Sequence, residues 1–309
     1  MGTPEFGVPC LDLMVKSGFK PVLCISQPDR PKGRKKLLQP TPIKIKAEEL
    51  GIEVIQPEDV NCPDFLDKLD QLKPDIIVTV AYGGYLKKRI RRLPKFGCIN
   101  LHPSLLPLYR GSAPINYALF NNDYKTGISI FKIVASMDAG PIILQSEIEI
   151  TEQDHFVSLS EKLADQGAKE IIRSLEMFES EQARYYKQDH DKATFSNKIF
   201  KEDMFIDWKK SAGEIRNLVR GLADKPAATA AFRNKRIKII EVELVEKDQT
   251  DREPGTILEV IKNTGILVSA VGKNIIIKQV QPAGKKIMNA FAFNLGARIS
   301  EGEKFENGF

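Results

Sequence analysis

Asn100 and His102 stand two residues apart in CINLHPSLLPLYRG (98–111), a stretch too apolar to be a solvated loop. On a β-strand the two side chains project from one face, and Pro103, which cannot donate to a ladder, ends the strand just beyond them. An Asn amide and an imidazole N–H aimed at one point can stabilise an oxyanion. A neighbouring carboxylate can keep the imidazole protonated and oriented. Asp138 in SMDAGP (136–141) is the candidate carboxylate, because it follows the next strand-like run, GISIFKIV (127–134), in a loop that should emerge at the same sheet edge. The plainer reading of Asn-x-His is a polar strand end that satisfies its own hydrogen bonds. No Ser-His or Cys-His constellation accompanies these residues, and acyl transfer between two bound substrates needs no protein nucleophile.

Such side chains need a sheet edge to hold them, and the first two thirds of the chain has the pattern of one. PVLCIS (21–26), IEVIQP (52–57), DIIVTVAYG (75–83), GCINLH (97–102) and GISIFKIV read as strands. PIKIKAEELG (42–51), CPDFLDKLDQLKP (62–74), APINYALFNND (113–123) and the long run 157–180 have helical spacing. Strands separated by helices imply right-handed crossovers and a parallel sheet, which binds ligands at its carboxyl edge. The pattern predicts an open, doubly wound, mainly parallel α/β domain over 1–182 and a polar, aperiodic linker over 183–203. After a short helix at 211–222, the runs ATAAF, IKIIEVELV, GTILEV, GILVSAV and IIIKQVQP predict a small antiparallel barrel or sandwich within 204–309.

Composition is that of a globular protein, 42% hydrophobic and 28% charged over 309 residues, long enough for two domains. Cys10, Cys24, Cys62 and Cys98 form no CxxC pair and no metal-ligand spacing, and no signal-peptide pattern opens the chain. A reduced cytoplasmic protein without a metal or a membrane span is the expectation. The net charge of +5 lies wholly after residue 203, where 18 basic residues face 13 acidic ones. That bias suits either a polyanionic partner or an ordinary soluble surface. DRPKGRKK (29–36) gathers Arg30, Lys32, Arg34, Lys35 and Lys36 around one Pro and one Gly, and QPAGKK (281–286) carries Lys285 and Lys286. By themselves both read as solvated basic loops. GTPEF (2–6) lacks GxGxxG and any P-loop, His155 and His190 lie in polar surroundings, and Trp208 reads as a packing residue.

NLHPSLLPLYRGSAPI (100–115) followed by SMDAGP resembles the signature of the folate-dependent formyltransferases. MGTPEFGVPCL (1–11), QPDRPKGRKK (27–36), VTVAYG (78–83), FIDWKKSAGEIRNLVRG (205–221), PGTI (254–257) and QPAGKK extend the match, in order, to the branch acting on methionyl initiator tRNA. The resemblance implies a Rossmann-like first domain and an oligonucleotide-binding-like barrel as the second. It implies transfer of a formyl group from 10-formyltetrahydrofolate to the α-amino group of methionyl initiator tRNA by a monomer. Asn100 and His102 would hold the oxyanion, and Asp138 would sustain the imidazolium. Ser104, Leu105, Leu106 and Pro107 would contact the folate. Arg30, Lys32, Arg34, Lys35 and Lys36 would form an arm reaching the acceptor stem, with Lys285 and Lys286 on the tRNA-binding domain. Two other readings remain open on the residues alone: formylation of a small amine, such as a glycinamide ribonucleotide or amino sugar, and tRNA binding without catalysis. In the family a short apolar strand precedes the turn at GTPEF. Here that turn follows Met1 directly, so the central strand of the sheet is expected to be missing.

Overall fold

The computed structural model of the protein describes residues 1–33, 37–245 and 251–307. The first part of the chain folds as α1 (Val8–Lys16), β1 (Cys24–Ile25), a hairpin of β2 (Arg30–Lys32) and β3 (Leu37–Gln39), α2 (Pro42–Glu49), β4 (Val54–Ile55), α3 (Pro63–Leu72) and β5 (Ile77–Val80). There follow α4 (Lys88–Arg92), β6 (Cys98–His102), β7 (Arg110–Gly111), α5 (Pro114–Phe120), β8 (Lys125–Lys132), β9 (Ile142–Glu149), α6 (Phe156–Glu179) and β10 (Phe195–Ser196). Local chemistry sets the helix starts. Pro42 and Pro63 occupy first turns, where no amide N–H is required, and Thr41 caps α2 by accepting the Lys44 N–H at 3.2 Å.

One compact unit comprises Met1–Pro114, Lys125–Glu149 and Ser160–Ser196. Within it β1 pairs with β4 and β5 with β6, both in parallel, while β8 and β9 extend β6 as an antiparallel edge. β9 was not legible in the sequence because its QSEIE half alternates between half-buried and exposed positions at the sheet's edge. α6 buries Leu163, Ala168, Ile171 and Leu175 at helical spacing. At Gly167 it passes so close to β6 that a Cβ there would lie 2.6 Å from Leu101. The helix thereby presses on the strand that carries Asn100 and His102. The unit runs to Ser196, so residues 183–196 of the polar stretch pack with it.

Met1 and Gly2 join the two parts of this sheet. The Met1 nitrogen donates to the Val78 carbonyl at 2.6 Å, the Val80 N–H to the Met1 carbonyl at 2.9 Å, and the Gly2 N–H to the Ile25 carbonyl at 2.9 Å. Two residues of a strand between β1 and β5 are thus in place. Beside them a cavity of about 570 Å³ opens between the segments of β1 and β5, lined by Cys10, Leu11, Leu69, Leu175 and Phe178 among others.

The other unit comprises Ile115–Tyr124, Ile150–Leu159 and the chain from Asn197. Its later elements are α7 (Ala212–Gly221), β11 (Ala228–Phe232), β12 (Lys235–Val245), β13 (Ile257–Ile261), β14 (Gly265–Val268), β15 (Asn274–Pro282), β16 (Met288–Asn289), α8 (Ala290–Ala297) and β17 (Phe305–Glu306). A capping box between Ser211 and Glu214 starts α7. The strands form one curled antiparallel sheet, a half-barrel in the order β13-β14-β15-β12-β11-β17, and Thr256 bridges Lys304 where its two ends meet. Trp208, buried to 2% exposure, stacks on Phe305 at 5.8 Å in the core, with Ile215, Ile239 and Ile277 in the same cluster.

The slot beside Met1 makes a stability prediction. Fusing four or five apolar residues ahead of Met1 supplies strand partners for β1 and β5 and buries several aliphatic side chains at about 1.5–3 kcal/mol each. The melting temperature should rise by about 5 °C or more. An unchanged melting temperature in calorimetry would show that the slot does not accept a strand.

Candidate active site

β6 lies between a parallel and an antiparallel neighbour, with Thr79 opposite Asn100 and Ser129 opposite His102. The Asn100 Oδ1 accepts from the Thr79 hydroxyl at 2.7 Å. With the Oδ1 so engaged, the NH2 is the end of the amide available to a ligand. Thr79 was read only as part of an apolar strand. A hydroxyl placed one register from an Asn was the signal that could have singled it out.

His102 is 4% exposed, with its Nε2 at 2.9 Å from the Tyr109 carbonyl. A carbonyl can only accept, so Nε2 carries the proton and Nδ1 faces the Asp138 Oδ2, 3.8 Å away. That gap is too long for a direct hydrogen bond. Asp138, held at a positive φ of 49°, accepts instead from the Gly111 N–H at 2.8 Å. Burial pushes the His102 pKa down, and the Asp138 charge and the Tyr109 carbonyl push it up without offsetting that. The resting ring is therefore neutral, whereas the sequence reading has the carboxylate keeping it protonated. Desolvation prevails because carboxylate and ring do not touch. The ring N–H expected to face an oxyanion is committed to Tyr109.

Ser104–Pro107 forms a loop directly beyond β6, held by side chains from β8 and β9. The Ser129 hydroxyl donates to the Ser104 carbonyl at 2.6 Å and accepts from the Leu106 N–H at 3.0 Å. Gln145 donates to the Leu106 carbonyl and to Ser129, both at 2.9 Å. Leu106 is buried against Phe131 and Ile142, whereas Leu105 and Pro107 are half-buried. Ser129 and Gln145 had no motif to mark them; they are visible only through the strand register.

The structure brings Asn100, His102, Asp138 and Ser104–Pro107 into one unit. On the β2–β3 hairpin, Arg30 is exposed and pairs with Glu58 at 3.1 Å. Arg34, Lys35, Lys36 and the side chain of Lys32 lie outside the described residues. Lys285 and Lys286 are exposed on the turn between β15 and β16 of the other unit. Among the described residues no group of three or more His, Cys, Asp and Glu could hold a metal ion, and no helix is long and apolar enough to cross a membrane.

Residues 1–175 match the formyl transferase family and residues 198–298 its C-terminal domain. The chain is 40% identical over 303 residues to the methionyl-tRNA formyltransferase of Bacillus velezensis, covering 98% of this chain and 95% of that one. It is 39% identical over 307 residues to that of Thermotoga neapolitana, covering 99% and 97%. The chain belongs to the formyltransferase family. The fold of this formyltransferase is shared with an N-formyltransferase from Helicobacter canadensis in complex with folinic acid and dTDP-3-aminofucose. The TM-score is 0.66 and the identity 21%, over 89% of this chain and 96% of that chain. It is shared too with HypX from Aquifex aeolicus in complex with tetrahydrofolic acid, at a TM-score of 0.63 and 14% identity. That match covers 95% of this chain but spans only 46% of HypX.

The balance at His102 can be read by NMR titration of its ring. Its pKa should lie below the ordinary histidine value of about 6.5, and Asp138→Asn should lower it further, because the carboxylate is what raises it. An unchanged or higher pKa in the variant would mean that Asp138 does not act on the ring.

Proposed function

We propose that this formyltransferase transfers the formyl group of 10-formyltetrahydrofolate to the α-amino group of methionyl initiator tRNA. The observation that carries the proposal is the likeness to methionyl-tRNA formyltransferases along 98–99% of the chain, through both the α/β unit and the half-barrel. In the proposed reaction the folate lies against the loop Ser104–Pro107. The amine attacks the formyl carbon, and Asn100 donates from its NH2 to the oxygen as that becomes an oxyanion. Neutral His102 accepts the proton released by the attacking amine at Nδ1. The imidazolium so formed lies beside the Asp138 carboxylate, with its Nε2–H still held by Tyr109. When the tetrahedral intermediate collapses, the carbon–N10 bond breaks and the proton passes to N10, leaving the ring neutral. Orientation of two substrates and charge stabilisation do the catalytic work.

The tRNA acceptor is proposed to be held by phosphate contacts from the basic arm at residues 30–36 and from Lys285 and Lys286. A monomer in the cytoplasm, where charged tRNA is made, meets the needs of this reaction.

Incubation with 10-formyltetrahydrofolate and methionyl initiator tRNA should yield formyl-methionyl-tRNA by mass spectrometry, and Asn100→Ala should lower kcat by about 10²–10³ with folate binding little changed. Full turnover in that variant would remove Asn100 from the mechanism, and absence of product from the wild type would refute the acceptor.

Binding of tRNA should weaken steeply with salt, because each neutralised phosphate releases counterions. Lys285→Ala with Lys286→Ala should flatten the log–log salt slope by about 1.4–1.8 units. A slope equal to that of the wild type would return this turn to the role of a solvated surface.

A further inference from the structure

Arg110 and Gln188 are buried beside the candidate active site, at 6% and 7% exposure, with no part in the chemistry proposed above. The Arg110 guanidinium donates to the Gln188 Oε1 from Nε at 3.2 Å and from Nη2 at 2.6 Å. Nη2 also donates at 2.9 Å to the Nδ1 of His190, which is exposed. The Gln188 NH2 donates to the carbonyls of Asp138 and Gly140, each at 2.7 Å. Both ends of the amide are thus used. On the other side of the same loop the N–H of Gly111, the residue after Arg110, holds the Asp138 carboxylate. Asp138 keeps a left-handed backbone conformation that few non-glycine residues adopt, so its loop needs such holding.

The segment that brings Gln188 here is itself tied down at both ends. Tyr186 exchanges backbone hydrogen bonds with Ile142 at 2.8 Å, and β10 pairs in parallel with β7. At Gly111, φ is 122° and a Cβ would run into the Ser196 carbonyl, so only glycine lets β7 and β10 approach this closely. The Tyr109 N–H, from the residue whose carbonyl holds His102, donates to the Thr194 hydroxyl at 2.9 Å. Residues 186–196 therefore brace both His102, through Tyr109, and Asp138, through Gln188.

We propose that Gln188, clamped by Arg110, is the positioning residue for Asp138: it fixes the 138–140 loop and with it the separation of the carboxylate from His102. The inference rests on the reading of Asp138 as the partner of His102 in formyl transfer. A glutamine suits the task because it accepts from a guanidinium at one end and donates to two carbonyls at the other. A carboxylate there would face those carbonyls with a like partial charge, and a shorter amide would not span the gap.

The test is a double-mutant cycle. Gln188→Met keeps the volume and removes every hydrogen bond. It should lower kcat about 10- to 100-fold, leave KM for 10-formyltetrahydrofolate within about twofold, and move the NMR pKa of His102 down towards its value in Asp138→Ala. In the Asp138→Ala background the same substitution should cost less than about twofold, since the carboxylate it positions is gone. Unchanged kcat in Gln188→Met, or an equal loss in both backgrounds, overturns the proposal, the second by showing a general packing role. If Gln188→Met does not fold, Gln188→Asn is judged by the same criteria. If Asp138→Ala itself retains full turnover, the catalytic reading of Asp138 fails, and the clamp is then decided by the His102 pKa in the Gln188 variant.

Discussion

A polar group taken out of water must find its hydrogen bonds inside the protein, and the loop beyond β6 is shaped by that demand. Ser104, Ser129, His102, Arg110 and Gln188 are all buried, and each is bonded to a backbone group or side chain from another segment. An unsatisfied buried group costs about 1–3 kcal/mol, so a shift of this loop that broke two or three such bonds would consume much of a total stability of about 5–15 kcal/mol. The loop therefore has one conformation without being a regular element. Its rigidity comes from β8, β9 and residues 186–196, which lie well apart in sequence and converge on it: Ser129 and Gln145 hold the Ser104 and Leu106 carbonyls, and the Thr194 N–H holds that of Pro107.

Burial also decides which charges the site carries. The His102 pKa is pushed down chiefly by desolvation, and that of Arg110 likewise, with Asp138 opposing the shift in both. A neutral imidazole with one nitrogen committed to a carbonyl is a poor oxyanion donor but a good proton acceptor. A carboxylate 3.8 Å from the other nitrogen does little for the neutral ring and much more for the charged one. An interaction that strengthens only as charge develops favours the reaction's intermediate over its ground state, which is the useful direction. The same carboxylate in direct contact would hold a proton on the ring from the start and spoil it as a base.

The sequence made legible what is local. Asn100, His102 and Pro103 are read as a strand end because alternation and a ladder-breaking proline act within a few residues, and β6 ends at His102. The long helix, the helix starts at Pro42 and Pro63, and the short strands of the half-barrel follow from periodicity in the same way. What escaped is what depends on tertiary neighbours. β9 alternates weakly because it is an edge, and Gln188 sits in a stretch whose polarity reads as linker although its amide is buried. The protonation of His102 escaped for a like reason: sequence shows that a carboxylate is available, whereas the desolvation that outweighs it depends on Phe131 packing edge-on to the ring and on the absence of direct contact.

Shared fold and shared acceptor are separate matters in this family. The backbone resembles that of a protein solved with dTDP-3-aminofucose at 21% identity, so the architecture alone does not select between an amino sugar and a charged tRNA. Selection must come from side chains outside the sheet edge proposed for formyl transfer. Among the described residues the core cluster of the half-barrel is made of Trp208, Phe305 and other apolar residues. Lys285 and Lys286, part of the basic excess of the last third of the chain, stand exposed on a turn. Exposed lysines around an apolar core can attract a phosphate backbone without any motif, which is the physical content of one of the two readings that the charge bias left open, the other being an ordinary soluble surface.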